Sequence, residues 1–281
     1  ELASLPHDHI AFVNCQDEED EHAAAMAILE KAAAEAAKLE REEVPFSQLC
    51  IGLKCGGSDA YSGLTANPLV GKICDRVVAA GGSAILTEVP EMFGAETILM
   101  SRCQDEQTFD KTVHLINDFK AYFMKNDQPV YENPSPGNKE GGITTLEEKS
   151  LGCVQKGGKA PVVDVLDYGE TVKTQGLSLL NGPGNDIVSV TNLTAAGCHM
   201  VLFTTGRGTP LGGMVPTVKI ASNDMIAEKK KHWIDFSAFG GTDEKAQELL
   251  DIVCRVADGE QTKNEIHGNR EIAIFKDGVT L

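Results

Sequence analysis

The chain has 281 residues, 42% hydrophobic and 24% charged, the balance of a soluble globular protein with length for one large or two ordinary α/β domains. Its net charge of -17 excludes a non-specific nucleic-acid surface, since no basic run exceeds Lys229-Lys230-Lys231. No apolar stretch approaches a membrane span and the start has no signal-peptide pattern, so no membrane partner and a cytoplasmic location are expected.

The eight cysteines, at 15, 50, 55, 74, 103, 153, 198 and 254, are dispersed and partly in apolar runs, which fits reduced thiols rather than a disulfide framework. The chain starts at Glu1 without methionine and is expected to be a piece of a longer product. In chain order, 9–14 (HIAFVN) reads as a first strand and 17–43 as an amphipathic helix with an acidic start suited to the helix dipole. A buried strand at 48–53 empties into Lys54-Cys55-Gly56-Gly57-Ser58-Asp59. A helix at 68–80 and a strand at 83–87 complete a βαβ unit, whose loop belongs at the carboxyl edge of a parallel sheet. Glu88 and Glu91 follow at the same edge, then helices at 91–100 and 107–124.

The stretch 131–153 (YENPSPGNKEGGITTLEEKSLGC) is too rich in proline and glycine for a helix or central strand, so it reads as a functional loop running into a capped helix that carries Glu147, Glu148 and Lys149. Beyond it, strands are expected at 161–165, 176–180, 199–204 and 217–221, and a last one at 272–275. Helices are expected at 187–197 and 243–257, so that 176–204 forms a second βαβ unit. The fold class is therefore α/β, parallel-sheet βαβ units with flanking helices in Rossmann-like layers. The expected divisions are a domain at 1–130, a loop and helix linker at 131–160, and a second domain at 161–281.

Four polar loops follow apolar strands. In the first, glycines 56 and 57 let backbone amides approach an anion, and Cys55 can ligate a metal, although a tight turn alone accounts for the motif. In the second, Glu88 with Glu91 and, about a helical turn on, Glu96 can act as base or metal ligand, with exposed acids as the simpler alternative. In the third, Asn185 and Asp186 both suit a helix cap and also form an anion-friendly or polyol-friendly turn. In the fourth, Arg207 stands between glycines after Thr205, with few structural duties and a fork suited to a carboxylate. Cys198-His199 offers a further metal donor, though neighbouring strand side chains diverge. No Walker loop, nucleophile elbow, zinc-protease helix or dinucleotide fingerprint is present.

The runs 52–59, 132–152, 184–186, 196–210, 231–236 and 271–281 together resemble the C-terminal part of the altronate/galactarate dehydratase family, the tail being nearer the altronate branch. The resemblance implies elimination of water from a sugar acid, D-altronate giving 2-dehydro-3-deoxy-D-gluconate, with Fe2+ or another divalent cation as cofactor. It implies Lys149, Glu147, Glu148 and Glu88 as acid and base candidates. Ser58, Asp59, Asn185, Asp186, Arg207 and Thr205 would meet the substrate, and Cys55, Cys153 and His199 the metal. The implied partners are a small sugar acid and an N-terminal domain of the same chain, with a homo-oligomer left open. Galactarate dehydration, a sulfolactate-type lyase and a non-catalytic sugar-acid-binding or assembly domain are the competing readings.

Overall fold

The computed structural model describes residues 10–240 and 242–280. The chain divides into two compact units, Glu1–Val44 and Pro45–Leu281. The first holds helix α1 (Glu21–Ala36), capped by the Asp20 carboxylate, which accepts from the Ala23 amide at 2.9 Å. Residues 10–14 form no strand, and His9 lies outside the described residues.

The second unit runs β1 (Cys50–Cys55), α2 (Ala66–Ala79), β2 (Ser83–Leu86), α3 (Glu96–Met100), α4 (Glu106–Lys125), α5 (Pro136–Glu140), α6 (Leu146–Cys153), β3 (Val162–Leu166) and β4 (Gly176–Leu180). It continues with α7 (Asp186–Ala195), β5 (Met200–Thr205), β6 (Thr217–Ala221), α8 (Asp224–Lys229), β7 (Phe236–Ser237), α9 (Asp243–Ala257) and α10 (Lys263–Ile266). Among the described residues all seven strands are parallel, in the order β3-β4-β2-β1-β5-β6-β7.

β1 is buried along its whole length because helices cover both faces, which is why 50–53 is an unbroken apolar run rather than an alternating one, with Lys54 following near the strand's end. Ile51 and Leu53 pack with Leu69 and Ile73 of α2 and with Leu249 and Val253 of α9. On the other face Cys50, Val201 and Phe203 pack with Val190 and Leu193 of α7. Burying side chains such as these stabilises the fold by about 1.5–3 kcal/mol each.

The sheet does not divide near residue 130. β1 and β2, from the span 1–130, lie between β4 and β5, from the span 161–281. The β4-α7-β5 unit therefore crosses over two strands rather than pairing its own. The chain leaves β1 towards β2 on one side and β5 towards β6 on the other, so the carboxyl ends of β1 and β5 flank a topological switch point, where such sheets bind ligands. The apolar run 272–275 is not a strand. The Ala273 amide donates to Thr191 Oγ1 at 3.1 Å and the Phe275 amide to the Tyr168 hydroxyl at 3.1 Å, so side chains satisfy this backbone instead of a ladder. Among the described residues no helix is long and apolar enough to cross a membrane.

Lys219 on β6 reaches the backbone carbonyls of Thr209, at 3.1 Å, and Leu211, bracing the loop after β5. Burial lowers this ammonium to about 8, against the opposing charges of Asp235, Asp186 and Glu271. Between about 8 and the ordinary 10.5 the unfolded chain thus binds more protons, and Lys219 adds stability as pH rises through that window. The stability gap between wild type and Lys219→Met should shift towards the wild type by on the order of 3 kcal/mol from pH 7 to pH 10.5, read from urea midpoints. A gap that stays constant would contradict this.

Candidate functional site

Successive side chains of a strand face opposite ways, so Lys54 and Cys55 leave the end of β1 for different partners. Lys54 turns to the α7 side. Its ammonium donates to Asp186 Oδ1 at 2.8 Å, to the Cys55 carbonyl at 2.6 Å and to Glu88 Oε1. Cys55 turns to α6, where its Sγ lies 3.4 Å from Cys153 Sγ. Gly56 allows the close approach beside it: a Cβ there would fall 2.6 Å from Asp186 Oδ2.

Glu88 follows β2 with φ 68°, a left-handed conformation that non-glycine residues rarely adopt and that costs on the order of 1–3 kcal/mol. Its carboxylate is buried, accepts from the Cys55 amide at 2.9 Å, and pairs with Lys156 at 3.4 Å as well as with Lys54. One turn later Glu91 meets Lys149 at 2.8 Å. The Lys149 ammonium is also 3.3 Å from Ser58 Oγ, 3.3 Å from Cys153 Sγ and 3.8 Å from Cys55 Sγ. Lys149, Cys153 and Lys156 are spaced four and three apart, so the run from α6 into the following turn presents them on one face.

The electrostatics of this cluster are coupled. The hydrogen bond with Cys153 lowers the Cys55 thiol well below its usual value against the cost of burial, with Lys149, Lys156 and Lys54 assisting. The same contact and burial push the Cys153 thiol up. Burial, aided by the Cys55 charge, raises the Glu88 carboxyl to about 7 despite Lys54 and Lys156. Burial would lower Lys149, but the charges of Cys153, Cys55 and Glu91 outweigh it and hold the ammonium well above the usual lysine range. Likewise Asp186, Glu88 and Cys55 outweigh burial at Lys54.

Cys55, Glu91 and Cys153 offer donor atoms that all lie within 4.8 Å of one another. Two sulfurs with a carboxylate within 4.8 Å of one another suit a borderline first-row divalent cation, so these residues fit the implied metal. The Lys149 ammonium now shares all three donors. His199 stands apart from them. It lies at the amino edge of the sheet, where its Nδ1 accepts from the Cys50 amide at 3.1 Å, a strand length of roughly 17 Å from the Cys55 end.

The cluster opens into a cavity of about 210 Å3 lined by Cys55, Gly56, Gly57, Glu91, Asn133, Ser135, Gly137, Asn138, Lys149, Gly184, Asp186 and Arg207. The segment 131–160 forms one wall. Its α5 starts with a reciprocal Ser135–Asn138 cap, and Asn138 Nδ2 donates to the Ser58 carbonyl at 2.9 Å, docking the segment on the β1 loop. Of the substrate candidates, Arg207 and Asp186 line the cavity and Ser58 lies against Lys149. Asn185 caps α7, accepting from the Val188 amide at 3.3 Å, and Thr205 Oγ1 accepts from the Gly208 amide at 2.9 Å. Asp59 accepts from the Ser62 amide at 2.9 Å, from Ser222 Oγ at 2.8 Å and from Asn223 Nδ2 at 2.9 Å, so its carboxylate ties β1 to the β6 end. Glu147 and Glu148 are exposed, outside the cluster; Glu148 accepts from the Thr144 amide at 2.8 Å as a local cap.

Residues 46–280 match the protein family described as D-galactarate/Altronate dehydratase, C-terminal. The chain belongs to this family. It is 55% identical to altronate dehydratase of Escherichia coli (strain K12) over all of its length and 58% of that protein, and 55% identical to altronate dehydratase of Bacillus subtilis (strain 168) over 97% of its length and 56% of that protein. Similarity to the L-threo-forming galactarate dehydratase of Escherichia coli is lower, 35% over 95% of this chain and 49% of that protein. The chain thus spans about half the length of these relatives. The matched span takes in the motifs at 52–59, 132–152 and 196–210, which supply most of the cavity wall.

Proposed function

We propose that the chain supplies the carboxyl-edge site of a hydro-lyase that converts D-altronate to 2-dehydro-3-deoxy-D-gluconate and water. One observation carries the reading: a thiol pair, Glu91 and the Lys149 ammonium meet at the wall of a cavity that Arg207 also lines. The higher identity to two altronate dehydratases, 55% against 35% for the galactarate enzyme, supports altronate as the substrate. We also infer that a further domain of the same polypeptide completes the enzyme, because the relatives are longer than this chain.

A hydrogen next to a carboxylate is weakly acidic, so its removal needs a base beside a stabilising positive charge, and the departing hydroxyl needs a proton. Arg207 takes the substrate carboxylate through its fork. Two carboxylates line the cavity, Glu91 and Asp186. Glu91 belongs to the metal-donor set, which leaves Asp186, steadied by Lys54 at 2.8 Å, to accept the proton. Lys149, whose ammonium reaches the cavity wall 3.3 Å from Ser58 Oγ, donates to the departing hydroxyl. Cys55, Cys153 and Glu91 would hold Fe2+, which when bound supplies Lewis acidity toward the substrate's oxygens.

Asp186→Asn keeps the size and a hydrogen-bonding oxygen but removes the base. Turnover of altronate should fall by roughly 10²–10⁴-fold with altronate binding kept within a few-fold. Unchanged turnover would remove Asp186 from the chemistry.

A further inference from the structure

We infer that Gly137 is a positioning residue that seats the Arg207 guanidinium at the cavity for the substrate's carboxylate, an inference that rests on the sugar-acid reading above. Gly137 sits inside α5 and is not among the residues with positive φ, so its backbone makes no demand for glycine. Alanine would serve this helix position at least as well as glycine. What glycine provides is space. A Cβ at this position would overlap Arg207 Nη1 and lie 3.1 Å from Cζ. At the root of the same side chain, a Cβ on Gly57 would lie 3.3 Å from Arg207 Cβ. The arginine therefore runs between two glycines, one at each end, with its guanidinium laid against the Gly137 backbone.

The guanidinium is not consumed by protein partners. Its salt bridge to Glu140 is 3.7 Å long between side chains 51% and 75% exposed, a geometry that holds little energy. The loop fixes the root instead, through the Gly206 amide donating to the Gly57 carbonyl at 3.1 Å and the Arg207 amide donating to Thr205 Oγ1 at 3.3 Å. The fork is thus steered by space and left free for a carboxylate. A methyl at Gly137 would collide only with the mobile end of a flexible side chain, so it should displace the guanidinium and leave the fold intact.

The test is altronate KM and kcat for the full-length enzyme carrying Gly137→Ala, Arg207→Met or both, with thermal midpoints. Gly137→Ala should raise KM about tenfold, the worth of one charge-assisted hydrogen bond, with kcat within about threefold and an equal or higher midpoint. In the double variant KM should stay within about twofold of Arg207→Met alone, because the arginine being steered is gone. A Gly137→Ala KM within twofold of wild type, or penalties that multiply in the double variant, would overturn the inference. If Arg207→Met itself leaves KM unchanged, the carboxylate role of Arg207 falls and the inference with it. If Arg207→Met raises KM and Gly137→Ala does not, only the role of Gly137 falls.

Discussion

Lys149→Met should reduce altronate turnover by about 10²–10⁴-fold, the range for a positioned general acid. Methionine fills similar space without charge, so Glu91 loses its 2.8 Å partner, and Ser58 and Cys153 lose theirs at 3.3 Å. Some stability should go too, because Lys149 is buried and Glu91 only slightly exposed. Assays well below the variant's thermal midpoint separate the two effects. A folded variant with normal turnover would take Lys149 out of the mechanism. Glu147→Gln and Glu148→Gln, on exposed side chains outside the cluster, serve as controls expected to retain turnover.

The largest expected loss of stability comes from Lys54→Met. Three buried ammonium groups, Lys54, Lys149 and Lys156, face Glu88, Glu91 and Asp186, and Glu88 depends on two of them. Without Lys54 the Glu88 carboxylate keeps Lys156 at 3.4 Å and the Cys55 amide but loses its nearest cation. Breaking a buried pair from one side costs about 3–5 kcal/mol, readable as a drop in urea midpoint. Adding Glu88→Gln removes the stranded charge, so the double variant should lose less than the sum of the two single losses. Strict additivity would show that the pair is not coupled.

Local chemistry made much of this molecule readable from its sequence. The apolar runs at β1, β4, β5 and β6 and the caps at Thr145 and Asn185 mark elements that the structure contains, because burial on both faces and orphan amides leave direct traces in residue type. Strand order left no such trace. Placing β1 and β2 between β4 and β5 depends on which apolar faces are covered after the whole chain collapses, so a division near residue 130 looked natural and the sheet runs through it.

The site followed the same rule. Cys55 stood out as a candidate metal donor and Cys153 became one through the family resemblance, yet their meeting across 98 residues is a product of the tertiary fold. Glu91 stood beside Glu88 as an acid with no visible partner, and Lys156 carried no mark because it lies past the end of α6. The four-and-three spacing of Lys149, Cys153 and Lys156 was the signal that could have found the latter. Asp59 shows the converse. An acid in a glycine-rich loop invites a ligand role, while Ser62, Ser222 and Asn223 already satisfy it. The run at 272–275 had strand composition but was offered side-chain partners instead of a free sheet edge.

Dehydration of a sugar acid at the cavity by the carboxyl ends of β1 and β5 is a proposal that turnover can test. The most direct test is an anaerobic assay with ferrous iron on altronate and on galactarate, for this chain and for a form extended to the relatives' length. The extended form should yield 2-dehydro-3-deoxygluconate from altronate, with galactarate turned over more slowly. Altronate bound by both forms but turned over by neither would contradict it, and would leave a binding domain in place of an enzyme.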